Sequence, residues 1–266
     1  VSELRTPLEI AVIEGNLGEI STRLNHGDTP HDLNHLGIPV LYDGLQGSNL
    51  DVLDRLNQAG ADWSTPYNQG GFTPLIYASL HSDLNTVRWL IDKGQDIGQS
   101  TQQGVRAMHV AVQRESTAIA EFLYQTGADP FQETHHGETP LLISLKAKRS
   151  LAMFRFLLSC YDERGEPVEP KLLPCLARIF DRQQADAVDS VKTLLSYTKD
   201  VPSEQTLREF MAMPGNYSAS PFRTLERTLS TDLSGALFAL LRAERIARGI
   251  RTSEPSSQTW QGFEGL

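Results

Sequence analysis

The chain has 266 residues and 39% hydrophobic content, enough apolar matter for one large buried core or two ordinary ones. Its net charge of −9 is lopsided, with 7 Lys and Arg against 17 Asp and Glu in residues 1–133 and 17 against 16 in 134–266. The acidic first half repels phosphate backbones, which argues against nucleic acid and leaves either a solvated surface or one that meets a basic protein. No apolar run nears the ~18 residues of a membrane span and no signal-like start is present. Two cysteines only, Cys160 and Cys175, are too few for a disulfide scaffold and are expected as free thiols in a cytoplasmic, intracellular protein.

The chain opens on Val1, as a piece of a longer parent would. Its first element, Thr6-Pro7-Leu8-Glu9-Ile10-Ala11, carries Glu9 and Glu14, polar residues that suit the wet outer side of a terminal unit. A truncation that removed earlier copies reads equally well. Gly37-Ile38-Pro39-Val40-Leu41-Tyr42 follows, then Gly71-Phe72-Thr73-Pro74-Leu75, Gly104-Val105-Arg106-Ala107-Met108-His109 and Gly137-Glu138-Thr139-Pro140-Leu141. Measured on the proline slot, at 7, 40, 74, 107 and 140, the spacings are 33, 34, 33 and 33. A second mark keeps the same register: Gly27, Gly60, Gly94 and Gly127 each stand 20 residues after that slot.

Each mark has a physical purpose. Threonine before proline can cap a helix whose first position tolerates the missing amide proton. Leu75, Ile76, Ala78 and Ser79 place small and apolar groups where a neighbouring helix approaches, and Val87, Leu90 and Ile91 repeat at helical spacing in the second helix. Gly94 can take the left-handed conformation that ends that helix, and Asp96 favours the turn that follows. No single copy can bury its apolar face alone, so the copies must stack.

In this register, over residues 4–160, the chain resembles the ankyrin-repeat family. Val40 and Ala107 stand where the family has proline, and the fifth copy lacks the Gly-Ala-Asp ending. The resemblance implies an all-α ankyrin-repeat solenoid of stacked helix-turn-helix units with projecting β-hairpin loops, here with a helical C-terminal extension. The expected division is 1–160 for repeats one to five, 161–249 for a degenerate helical region and 250–266 for a flexible tail.

Beyond Cys160, residues 162–170 read as a charged connector, and Pro174, 34 residues after Pro140, suggests a degenerate sixth copy with Val188, Val191, Leu194 and Leu195 in its second helix. Thr206 to Met213 and Phe222 to Leu229 read as a further helix pair, and Leu233, Leu237, Leu240 and Leu241 as one face of a last helix. Arg242, Arg245, Arg248 and Arg251 at its end are either a basic docking patch or cations that complement a helix C-terminus. Trp260 and Phe263 in the tail could anchor a linear motif or stay unpaired.

No phosphate loop, Gly-x-Ser-x-Gly, His-Glu-x-x-His or Cys-x-x-Cys pattern occurs, so no catalytic residue, cofactor or metal is expected. His135-His136 with Glu138 is the one metal-like grouping and sits on a projecting tip. The resemblance gives His109 a structural hydrogen-bonding role. It also implies a protein-protein interaction module that binds another protein or an extended peptide through a concave surface, as a monomer and without membrane or nucleic acid. Carried onto this chain, the tips are Leu36 and Ile38; Gln69 and Phe72; Gln103 and Val105; His136 and Glu138. The first helices add Leu80, His81, Gln113, Arg114 and Lys146. Leu36, Ile38, Phe72 and Val105 should align as an apolar stripe, or else pack on adjacent hairpins. Trp63 and Phe131 are expected to brace the turns. Two other readings stay open: an enzyme or host-directed effector whose divergent 161–266 region carries the activity, and a structural spacer.

Overall fold

A computed structural model of the chain describes residues 5–64, 66–68, 70–145, 151–182, 187–199, 201–203, 206–207 and 232–249. The chain forms two compact units, Val1–Pro140 and Leu141–Leu266. Thirteen helices run through the described residues, and β structure among them is limited to two antiparallel bridges, Leu33 with Pro39 and Ser100 with Arg106.

The first unit repeats one motif four times. Its helices come in pairs: α1 (Pro7–Glu14) with α2 (Leu17–Asn25), α3 (Leu41–Gly47) with α4 (Leu50–Gln58), α5 (Pro74–His81) with α6 (Leu84–Asp92), and α7 (Ala107–Gln113) with α8 (Thr117–Gln125). Within this unit α1, α3, α5 and α7 pack on one another in order, and so do α2, α4, α6 and α8, which gives two parallel rows. Thr6 and Thr73 start their helices as expected, accepting from the amides of Glu9 and Ile76, with proline at the first position. The second helix of each pair is started by a residue the repeat marks do not reveal. Asn16 accepts from Glu19 N, Asn49 from Val52 N and Asp83 from Thr86 N.

The rows are joined by apolar contact. Leu53, Leu56, Leu75, Ile76, Val87 and Leu90 are at most 1% exposed. Burying one such side chain contributes about 1.5–3 kcal/mol. Ala78 and Gly44, both buried, let the first helices approach: a Cβ on Gly44 would lie 3.0 Å from Leu56 Cδ1. Trp63 is buried and meets Trp89 edge-on at 5.0 Å, which braces its turn.

Glu9 departs from its expected place on a wet outer side. It is 0% exposed, while Glu14 is exposed. Its carboxylate accepts from Thr6 N at 3.3 Å, His35 N at 3.1 Å and His35 Nδ1 at 2.5 Å, and Arg5 Nε lies 3.4 Å away. A buried carboxylate persists only with such a complement of donors.

In the second unit α9 (Pro140–Ser144) and α10 (Leu151–Arg164) supply the fifth pair, and α11 (Glu169–Arg182), α12 (Ala187–Ser196) and α13 (Asp232–Ala247) follow. The connector is shorter than expected, because α10 runs to Arg164 and α11 begins at Glu169. Pro174 does not open a helix but lies inside α11, so the 34-residue spacing from Pro140 is not a repeat start here. α12 packs against α10, α11 and α13. Cys160 and Cys175 are fully buried and in no disulfide, and burial pushes the Cys175 thiol up to about 12.

At the end of α13 Arg242 is exposed, whereas Arg245 and, just beyond the helix, Arg248 turn inward. Arg245, 6% exposed, donates to Val201 O, and Arg248 donates to Leu195 O and Thr198 O, both at 2.6 Å. Arg248 thus closes the C-terminal end of α12, a neighbouring helix rather than its own, and Arg245 holds the segment that follows it. Most of the stretch 206–229, the side chain of Leu233, and the tail 250–266 with Arg251, Trp260 and Phe263 lie outside the described residues. Among the described residues no helix is long and apolar enough to cross a membrane.

Candidate partner-binding face

The hairpin tips between successive pairs share one construction. A side-chain oxygen three residues before the tip glycine accepts two amides of the tip. Asn34 Oδ1 takes Leu36 N at 2.9 Å and Ile38 N at 3.0 Å, Thr101 Oγ1 takes Gln103 N at 3.3 Å and Val105 N at 3.1 Å, and Thr134 Oγ1 takes His136 N at 3.3 Å and Glu138 N at 3.2 Å. The glycine then returns its own amide to the carbonyl of that residue with φ of +73°, +76° and +70° at Gly37, Gly104 and Gly137. The remaining tip has one residue more: Tyr67 N reaches Phe72 O, five residues on, where Thr101 N reaches Val105 O, four on. That insertion is the extra residue behind the single 34-residue spacing.

Main-chain bonds link neighbouring tips. Gln102 N donates to Gly70 O at 3.0 Å and His135 N to Gln103 O at 2.9 Å. A polar side chain two positions after the proline slot ties a first helix to the hairpin that follows it. Glu9 does so through His35, Tyr42 Oη donates to Phe72 O at 3.4 Å, and His109 Nε2 contacts Gln132 O at 2.9 Å. His109 Nδ1 accepts from Arg106 N, so Nε2 bears the proton, and burial lowers the pKa of the ring.

On this framework Leu36 is 64% exposed, whereas Ile38, Phe72 and Val105 are half-buried. Gln103 and His136 are exposed and Glu138 half-buried. On the first helices His81, Gln113 and Arg114 are exposed and Leu80 half-buried. Arg114 donates to Ser82 O, and its charge, after burial, helps to lower the pKa of His81. Gln69 and Lys146 lie outside the described residues. Among the described residues no group of three or more His, Cys, Asp or Glu could hold a metal.

The sequence reading missed an aromatic cluster. The Tyr42 ring lies 5.2 Å from Tyr67 and 5.0 Å from Tyr77, Tyr67 and Tyr77 are 5.3 Å apart, and His81 stacks on Tyr77 at 4.6 Å. Tyr42 is buried; Tyr67 and Tyr77 are half-buried. Burial, then Tyr67 and Asp43, pushes the Tyr77 hydroxyl up to about 12, and burial raises Tyr42 further. The available signal was a tyrosine on each of two successive first helices with a third in the hairpin between them.

A family model for ankyrin repeats, in three copies, matches residues 40–134. That stretch of the chain is built of ankyrin repeats. It is 26% identical over 137 residues to an L-asparaginase of Dirofilaria immitis, a match that takes in 52% of this chain and 23% of that protein. It is 26% identical over 122 residues to the B-cell lymphoma 3 protein homolog of Mus musculus, covering 46% of this chain and 27% of the relative. An ankyrin repeat protein of Acanthamoeba polyphaga mimivirus is 24% identical over 157 residues, 58% of this chain and 96% of the viral protein. The chain thus matches only about a quarter of the length of the first two relatives.

Proposed function

We propose that the repeat unit binds an extended protein segment along the face made by its hairpin tips and first helices, as a monomer in a reducing intracellular compartment. The observation that carries this reading is the division of labour in the unit: Leu75, Ile76, Val87 and their equivalents hold the stack, while the hairpin tips present Leu36, Ile38, Phe72 and Val105 at least partly to solvent. Ankyrin repeats generally mediate protein-protein interaction, and the two buried cysteines, in no disulfide, support a reducing location. The test is affinity capture from lysate with the wild type beside a Leu36→Asp, Phe72→Asp double variant. The expected result is loss of captured protein with the thermal midpoint lowered by no more than about 4 °C. An unchanged captured set would overturn the assignment of this face.

A further inference from the structure

We propose, resting on that reading, that the partner is a basic segment, and that one of its arginines stacks on the partly exposed ring of Tyr77 with its guanidinium on the carboxylate of Asp43.

Tyr42, Tyr67 and Tyr77 pack at 5.0–5.3 Å between ring centres, too tightly to enclose a cation, so what they offer is a shelf rather than a cage. Tyr42 forms its buried base, and the half-buried rings of Tyr67 and Tyr77 its open surface. An aromatic face carries the negative end of the ring quadrupole and attracts a cation laid over it. This chain already uses that chemistry elsewhere: Arg88 lies 4.4 Å over the ring of Phe122 and Lys93 5.1 Å over that of Trp89.

Asp43 supplies the anion. It lies on α3, half-buried, three residues after the proline slot, the position Tyr77 holds on α5, the helix packed against α3. Its carboxylate receives the Asn34 side-chain amide at 2.9 and 3.2 Å and, among the described residues, is in no ion pair. Burial raises its pKa even against the Asn34 amide and the charges of His35 and Arg5, which lower it. A guanidinium would complete it. Arginine suits better than lysine because its plane can stack on a ring while its edge meets a carboxylate.

Long-range charge points the same way. Residues 1–133 carry 17 acids against 7 bases, and several of those bases are engaged internally: Arg5 with Glu9, Arg23 with Glu19, Lys93 with Asp54, and Arg106 with the carbonyls of Gly98 and Gly104. The remaining field favours a cationic visitor. Arg114, whose charge acts on the His81 ring that packs on Tyr77, disfavours a cation on the His81 side.

The probe is a synthetic Gly/Ser/Ala peptide with three arginines, compared with the same peptide carrying lysine or glutamate, titrated into the whole chain at low salt and followed by anisotropy and tyrosine-ring NMR. The arginine peptide is expected to bind tightest, to shift the Tyr67 and Tyr77 ring signals, and to weaken as salt rises. Asp43→Asn should weaken it at least about fivefold, Tyr77→Leu by roughly threefold to tenfold, and Tyr77→Phe hardly at all. Should Asp43→Asn fail to fold, the Tyr77 pair decides. The inference is overturned if the arginine peptide does not bind, if the glutamate peptide binds as well, or if binding ignores both the Asp43 and the Tyr77→Leu changes. These outcomes rest on Asp43 and Tyr77, whereas the broader reading rests on Leu36 and Phe72; capture that is lost in the double variant while the peptide ignores Asp43 and Tyr77 overturns this inference alone.

Discussion

His109 donates from Nε2 to the main-chain oxygen of Gln132 at 2.9 Å and accepts the amide of Arg106 on Nδ1 at 3.1 Å, so one buried imidazole joins α7 to the hairpin beyond it. Both bonds need the neutral ring. Protonating Nδ1 would set two hydrogens against each other.

The consequence is a pH dependence of stability. Burial holds the folded pKa of His109 below its ordinary value of 6.5, so in the interval between the two the unfolded chain binds more protons. Its contribution is therefore complete above about pH 6.5 and is lost as pH falls through the depressed folded value. Unfolding by urea at pH 7.5 and pH 5 should show a smaller loss of stability on acidification in His109→Gln than in the wild type. Equal losses would contradict the assigned tautomer.

Glu9 should be among the costliest positions in the first repeat. Glu9→Ala strands the amides of Thr6 and His35 and the Nδ1 of His35 beside an empty, dry site. We expect about 2–4 kcal/mol of destabilisation by chemical denaturation. Glu14→Ala, at an exposed position on the same helix, should change stability by no more than about 0.5 kcal/mol.

Two tip glycines with the same backbone conformation should respond differently to alanine. At Gly137, φ +70°, an added Cβ meets nothing within 4 Å, so only the left-handed conformation is penalised, by about 1–2 kcal/mol. At Gly104, φ +76°, the Cβ would lie 3.0 Å from His135 N and 3.2 Å from Thr134 Cα. Gly104→Ala should therefore cost about 1–3 kcal/mol more than Gly137→Ala and loosen the bond between tips at His135, visible as faster amide exchange there.

Arg248 should behave as a structural clamp. Its guanidinium reaches Leu195 O and Thr198 O at 2.6 Å and pairs with Glu244 at 2.8 Å. Arg248→Ala is expected to lower stability by about 1–3 kcal/mol, and Arg248→Lys to restore little of it, because an ammonium cannot span the same carbonyls. Full rescue by lysine would show that charge alone matters.

The repeat register was legible because its marks are local backbone chemistry. Thr73-Pro74 starts a helix and Gly94, at φ +86°, ends the next one wherever the chain goes afterwards. The tips were legible only in part. Asn34 and two threonines, Thr101 and Thr134, place the same kind of oxygen at the same point, so the cap has no single-residue signature. Pro174 misled for the complementary reason: spacing alone suggested a start, but α11 already runs through it.

From sequence alone came the stacking unit, its period and the acidic balance of the first half, since short-range propensity and charge depend on residue type and order. Only the tertiary structure decided that Glu9 is buried, that Arg248 closes another helix and Arg245 holds the segment after it, and that Tyr42, Tyr67 and Tyr77 share one cluster beside Asp43. Those outcomes depend on partners 10 to 53 positions away in the chain, and the free energy of a buried polar or aromatic group is set by what surrounds it, not by its neighbours in sequence.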